Sequence, residues 1–153
     1  MHFIDVGQGD SALVQLPSGQ SILIDGGTAG AAGIVIDYLK TAGVTKIDHL
    51  ISTHPHEDHI GGLIRVIREF PIGKIYMPRA THTTRTYENL LLTIKDKGLR
   101  ISEAKAGLFL DCGPKIETVF VAPCGESYAN LNNYSAVLKL SYGDTAFLFT
   151  GGC

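Results

Sequence analysis

Short apolar runs alternate with breaks rich in glycine and proline, and the spacing inside each run separates strands from helices. Residues 3–6 and 12–16 are apolar runs joined by Gly7-Gln8-Gly9-Asp10, and Pro17-Ser18-Gly19-Gln20 leads into a third run at 21–25. Three runs closed by turns of that length predict an antiparallel meander ending at Gly26-Gly27. Residues 31–42 carry Ile34, Val35, Tyr38 and Leu39 at helical spacing and stop at Gly43. Residues 48–53 read as a buried strand that runs straight into a polar loop. A helix follows over 60–70, with Leu63, Ile64, Val66, Ile67 and Phe70 apolar and Pro71 ending it. Residues 74–77 predict a strand. Residues 84–97 predict a helix with Tyr87, Leu90, Leu91 and Ile94 on one face and a stop at Gly98. Strands are predicted over 100–104, 109–110 and 116–121. In 135–142 the apolar Val137, Leu138 and Leu140 alternate with Lys139 and Ser141, and Gly143-Asp144 turns that strand into 145–150. The pattern predicts one α/β domain over 1–153 with a mixed sheet.

Composition adds constraints. A chain of 153 residues with 44% hydrophobic and 18% charged residues is an ordinary globular sequence. A chain of that length buries roughly 68–70% of its unfolded surface. The net charge of −2 and the scattered Lys and Arg give no basic stripe for a nucleic-acid backbone, although a phosphate held through a metal needs none. No apolar run reaches the roughly 18 residues of a membrane span, and no signal peptide is visible. The expected location is therefore cytoplasmic, or extracytoplasmic if the chain is a domain of a membrane protein. Cys112, Cys124 and Cys153 lack C-x-x-C spacing, and Cys112 and Cys124 read as small buried hydrophobes.

The chemistry concentrates in His54-Pro55-His56-Glu57-Asp58-His59. Three imidazoles and two carboxylates within six residues supply donors suited to zinc and to harder divalent ions. Alternate positions on an extended loop point the same way, so His54, His56 and Asp58 converge on one point and His59 turns to a neighbouring one. Two adjacent metals can share a bridging water, lower its pKa and clamp a phosphoryl or carbonyl oxygen. A solvated polar loop is the plain alternative, and three histidines between an apolar strand and an apolar helix disfavour it. His2, His49 and His82 are isolated, which favours structural roles for them, although His82 sits in the polar run 81–84 and is an alternative candidate for lining a cleft.

The His54-x-His56-x-Asp58-His59 pattern resembles the signature of the metallo-β-lactamase-fold hydrolases. Phe3-Ile4-Asp5-Val6-Gly7-Gln8-Gly9-Asp10-Ser11, Leu23-Ile24-Asp25-Gly26-Gly27, Ser52-Thr53-His54, Ile60-Gly61-Gly62-Leu63, Asn132-Asn133-Tyr134-Ser135 and Leu148-Phe149-Thr150-Gly151 are similar to one branch of that superfamily. The branch includes the hydrolase-like domain of the DNA-uptake protein ComEC and its free-standing relatives. The resemblance implies an αββα sandwich, of which this chain carries mainly the N-terminal half. It implies two divalent ions, zinc or manganese: His54 and His56 on the first, and Asp58 and His59, the catalytic pair, on the second. Asp25 would orient the histidine loop, and Asp10 and Gln8 would lie at the edge of the site.

Three departures bear on that expectation. Asn133 stands where most members supply a further histidine; an amide oxygen is harder than imidazole and leans the site toward manganese or magnesium. Gly152 stands where a bridging aspartate follows Thr-Gly, and Cys153 is a candidate substitute ligand. The second half of the family fold, with its last histidine, does not follow. The expected function is a metal-dependent hydrolase of phosphodiester or related ester bonds, with single-stranded DNA one candidate substrate. The alternative is an incomplete, catalytically inactive module with one metal or none. A sheet face left uncovered predicts a homo-oligomer.

Overall fold

A computed structural model describes residues 1–80, 82–125 and 127–152. The strands form two sheets, as the expected αββα sandwich requires, and the first of them is the mixed sheet. The first sheet has β1 (His2–Phe3), β2 (Ala12–Gln15), β3 (Ser21–Ile24), β4 (Ile47–Ile51), β5 (Ile72–Met77) and β6 (Ile101–Glu103) side by side in chain order. β1, β2 and β3 are the predicted antiparallel meander, and β3 through β6 run parallel. The second sheet is antiparallel, with β7 (Phe109–Leu110), β8 (Ile116–Ala122), β9 (Val137–Tyr142) and β10 (Thr145–Phe149) in the order β10-β9-β8-β7.

The period of two in each strand sorts the core into two slabs. Leu13, Leu23, Leu50 and Ile75 lie in one row across β2 to β5 and belong to the cluster shared with the helices. Those helices are α1 (Ala32–Thr41), α3 (Leu63–Glu69) and α4 (Arg85–Asp96). The alternate row, Ile24, Ile51 and Tyr76, faces Phe120, Leu138, Leu140 and Phe149 of the second sheet. β4 is apolar on both faces because both are covered. That arrangement supplies three layers of the expected sandwich: helices, sheet, sheet. The outer face of the second sheet carries the neighbouring Phe109, Lys139 and Leu148, with Phe109 62% and Leu148 58% exposed.

The structure redraws two helices. In α1 the buried stripe is Ala32, Val35, Ile36 and Leu39, and Ile34 and Tyr38 face outward. The single helix expected over 60–70 is two, α2 (Glu57–Ile60) and α3, parted at Gly61-Gly62. The parting serves a close approach. A Cβ on Gly62 would lie 2.0 Å from the Gly26 carbonyl oxygen, and one on Gly61 would lie 2.4 Å from the Ala29 nitrogen. Gly62 N–H donates to Gly27 O (3.0 Å), and Gly26 N–H donates to His59 O (2.8 Å). Two glycine pairs thus dock backbone to backbone and fix the turn after β3 against the helices that follow the histidine loop.

Candidate metal centre

The site forms where β3 and β4 end. In a parallel sheet the carboxyl ends of neighbouring strands meet at one edge, and ligands are taken up there. β4 ends at Ile51, and Thr53 and the histidine loop follow directly. Asp25 leaves β3 with φ +57°, a left-handed conformation uncommon for a residue with a Cβ, and it is fully buried. Residues held so are found where surrounding structure over-determines them. Asp25 Oδ1 accepts from Thr53 N–H (2.8 Å), and Oδ2 accepts from the Thr53 hydroxyl and from His59 Nδ1 (2.8 Å). Asp25 thus contacts both the end of the β4 segment, at Thr53, and the histidine loop, at His59. With Nδ1 committed, His59 has only Nε2 left for a metal, the carboxylate–histidine arrangement common behind zinc-bound imidazoles.

His54 is 2% exposed, and its Nδ1 lies 3.0 Å from Thr53 Oγ1, so Thr53 joins His54 to Asp25. The His54 ring centroid lies 4.0 Å from that of His59 and 4.8 Å from that of His56. His56 precedes α2, and its carbonyl accepts from His59 N–H (3.0 Å) and Ile60 N–H (3.1 Å). Asp58 Oδ1 lies 3.9 Å from His59 Nε2. Gly9, at φ +94°, brings the loop before β2 against this turn, where a Cβ would fall 1.7 Å from the Asp58 carbonyl oxygen. That approach sets Asp10 Oδ2 3.9 Å from His59 Nδ1, at the edge of the site as expected. A cleft of about 240 Å³ opens beside it, bounded by Asp10, Asp25, Phe149 and Gly151.

Burial pushes the Asp25 carboxyl above its ordinary range, against the donors of His59 and Thr53. For His59, burial works against the charge, but the hydrogen bond and charge of Asp25, with Asp58 and Asp10, outweigh it and raise the imidazole. Burial, with the neighbouring His59 and His56, lowers His54 to about 4. His54 is thus a neutral imidazole at pH 7, the form that binds metal.

The remaining candidates separate. Gln8 is exposed on its turn and makes no side-chain hydrogen bond among the described residues. Asn133 is exposed in the 3₁₀ turn Leu131–Tyr134, and among the described residues its backbone donates to Asn130 O (3.1 Å) while its side chain makes no hydrogen bond. Cys153 lies outside the described residues. Gly152 lies against the site: a Cβ there would fall 2.9 Å from His54 Cε1 and 3.1 Å from His54 Nε2. Cys112 is buried as expected, but Cys124 is exposed, because β8 ends at Ala122 and the chain turns off the sheet. His49 is a satisfied core histidine, bonded to Tyr76 Oη (3.3 Å) and Asp111 O (3.2 Å). His2 bonds Tyr38 and Gln15. The His82 ring centroid lies 6.0 Å from that of His56. Thr53 was missed as a site residue, and its place directly before His54 was the available signal.

Among the described residues no three His, Cys, Asp or Glu side chains yet gather on one point. The donor chemistry nonetheless fits a divalent ion: a neutral buried His54, and a His59 whose Nδ1 is bonded to a buried carboxylate, with Nε2 left over.

The histidine loop is thus set at the edge of a sheet-on-sheet sandwich. The Metallo-beta-lactamase superfamily profile matches residues 4–151, and the chain belongs to that superfamily. ComE operon protein 3 of Bacillus subtilis (strain 168) is 28% identical over 165 residues, covering 97% of this chain and 21% of that protein. The expected likeness to the ComEC branch holds. Hydroxyacylglutathione hydrolase of Aeromonas salmonicida (strain A449) is 36% identical over 50 residues, covering 33% of this chain and 19% of that enzyme. A metallo-beta-lactamase of Cronobacter sakazakii, a mutant in its HARLDQ motif, shares the fold with a TM-score of 0.67 at 16% identity, over 96% of this chain and 59% of that one. The chain thus spans about a fifth of the competence protein and about three fifths of the lactamase.

Proposed function

We propose that the chain is a metal-dependent hydrolase domain acting on phosphodiester or related ester bonds. The observation that carries this reading is the buried relay Asp25–His59, with Thr53 tying His54 to the same carboxylate. A polar relay buried at this depth needs a purpose, because unpaired it would be costly. It leaves the outer nitrogens of two imidazoles bare at the end of β4. His54, His56, Asp58 and His59 would hold divalent ions, zinc or manganese. A bound ion there would lower the pKa of a water and polarise the oxygen it attacks. The protein's own part is to hold His54 unprotonated, fix the His59 ring, and keep Asp58 and Asp10 at the mouth of the cleft. Among phosphodiesters, single-stranded DNA is the substrate that the ComEC likeness suggests. We also infer that a second copy covers the exposed Phe109 and Leu148, to be checked by light scattering at several concentrations; a monomer throughout refutes it.

The test is metal content by elemental analysis, with and without chelator, beside hydrolysis of bis-p-nitrophenyl phosphate with manganese. Bound metal and chelator-sensitive turnover are expected. A second reading, an incomplete module with a binding or structural role, is favoured by Gly152, which sets a bare backbone against His54 where the family places an aspartate. Metal-free protein with no turnover would establish it.

A further inference from the structure

His82 lies outside the ligand set, yet the fold brings it to the site. β5, parallel to β4, ends at Met77 on the same sheet edge as the histidine loop, and α4 begins at Arg85. That connection is pinned on both sides of His82. Tyr87 Oη donates to Ala80 O (2.8 Å), and the Thr84 hydroxyl caps α4 by accepting from Tyr87 N–H (3.3 Å). The His82 ring is half-buried between His56, edge-on at 6.0 Å between centroids, and Tyr87 at 6.4 Å. Two imidazoles sharing one ion, with metal–nitrogen bonds near 2.0–2.1 Å, place their centroids about 5 Å apart. The His54–His56 separation of 4.8 Å matches that figure, and His82 stands about a further ångström out. A ring so placed lies outside a tetrahedral ligand shell built on His54 and His56, and near enough to meet what such an ion would hold. Its own hydrogen-bonding nitrogens have no protein partner among the described residues.

We propose that His82 is a substrate-contacting residue, donating a ring N–H to an anionic oxygen of the substrate's phosphate. The proposal rests on the phosphodiester reading and assigns it a specific partner on the β5–α4 connection.

The test follows the His82 ring in long-range proton–nitrogen NMR spectra of the whole chain loaded with zinc, titrated with inorganic phosphate. His82→Ala and His82→Gln are measured beside it for phosphate affinity, zinc content and turnover of bis-p-nitrophenyl phosphate. Phosphate is expected to shift the His82 signals. His82→Ala should bind phosphate about tenfold to a hundredfold more weakly, the range for a hydrogen bond to a charged group. It should keep full zinc content, and any loss of turnover should appear in KM. His82→Gln, which retains an N–H donor, should recover part of the affinity. Unmoved His82 signals with unchanged affinity in His82→Ala overturn the proposal, as does loss of zinc in His82→Ala, which would make it a ligand. Wild-type turnover with an indifferent His82 refutes the proposal alone. A His82 response to phosphate without turnover upholds it and counts against the hydrolase reading.

Discussion

Asp25→Asn changes one buried atom and tests the orientation of the whole site. Asparagine keeps an oxygen where Oδ1 accepts from Thr53 N–H, but puts an NH₂ where Oδ2 accepts from Thr53 and His59. The Thr53 hydroxyl can rotate and accept. His59 can stay paired only by taking the other tautomer, with Nδ1 bare and the proton on Nε2, the nitrogen a metal needs. Two charge-assisted hydrogen bonds, each worth about 1.5–3 kcal/mol, become neutral ones worth about 0.5–1.5. Relief of the buried carboxylate's desolvation offsets part of that difference. The net loss of stability should be about 1–3 kcal/mol, read from the urea midpoint at constant slope. Metal affinity should fall further, by about 10–100-fold, as for other partners behind metal-bound histidines. Zinc calorimetry and the nitrogen shifts of His59 measure the two effects. A variant that binds zinc as the wild type does, with the His59 proton still on Nδ1, refutes the reasoning.

Three further outcomes are expected. In chelator, His54→Asn should flatten the acid side of the stability profile. His54 is held near 4 when folded and returns to about 6.5 when unfolded, so the unfolded chain takes up the proton and stability falls as pH drops from about 6.5 to 4. The raised His59 works oppositely, stabilising below about 6.5 and losing its contribution as pH rises through its folded value, so parallel wild-type and variant profiles would refute the assignment to His54. Gly62→Ala should cost about 3 kcal/mol or more in chemical denaturation, the upper end of overpacking, because the new Cβ meets a backbone oxygen at 2.0 Å; an unchanged midpoint would contradict the docking of the two glycine pairs. Phe120→Ala should cost about 3–5 kcal/mol by the same measurement, since Phe120 is fully buried between the sheets.

Local pattern made the strands legible, because each alternates or runs apolar over its own length. It could not show that two sheets share those strands. β4 reads the same whether its faces meet helices or another sheet, and the partner residues Phe120, Leu138 and Phe149 lie far along the chain. The outward turn of Ile34 and Tyr38 was equally hidden, since two stripes of α1 are apolar and packing chose between them. The histidine loop announced itself through composition. Asp25 entered through the family resemblance, and its contacts with Thr53 and His59 needed the parallel pairing of β3 with β4. Asn133 and Gln8, by contrast, took their expected roles from the resemblance alone and show no side-chain engagement of the histidines among the described residues. His82 read as isolated because 23 positions separate it in sequence from His59, and only the β5–α4 connection closes that distance.

The docked glycine pairs decide when the site acquires its shape. Gly26 N–H on the His59 carbonyl and Gly62 N–H on Gly27 hold the loop through main-chain bonds that involve no ligand side chain. The backbone of the loop is therefore fixed as soon as the sheet and helices assemble, and gathering the ligand side chains is left to the ion. Loading should leave the far-ultraviolet circular dichroism unchanged and slow amide exchange chiefly in residues 54–62. Small zinc domains behave oppositely, since there the metal is the folding free energy. Here uptake and release can follow the supply of ions while the scaffold persists.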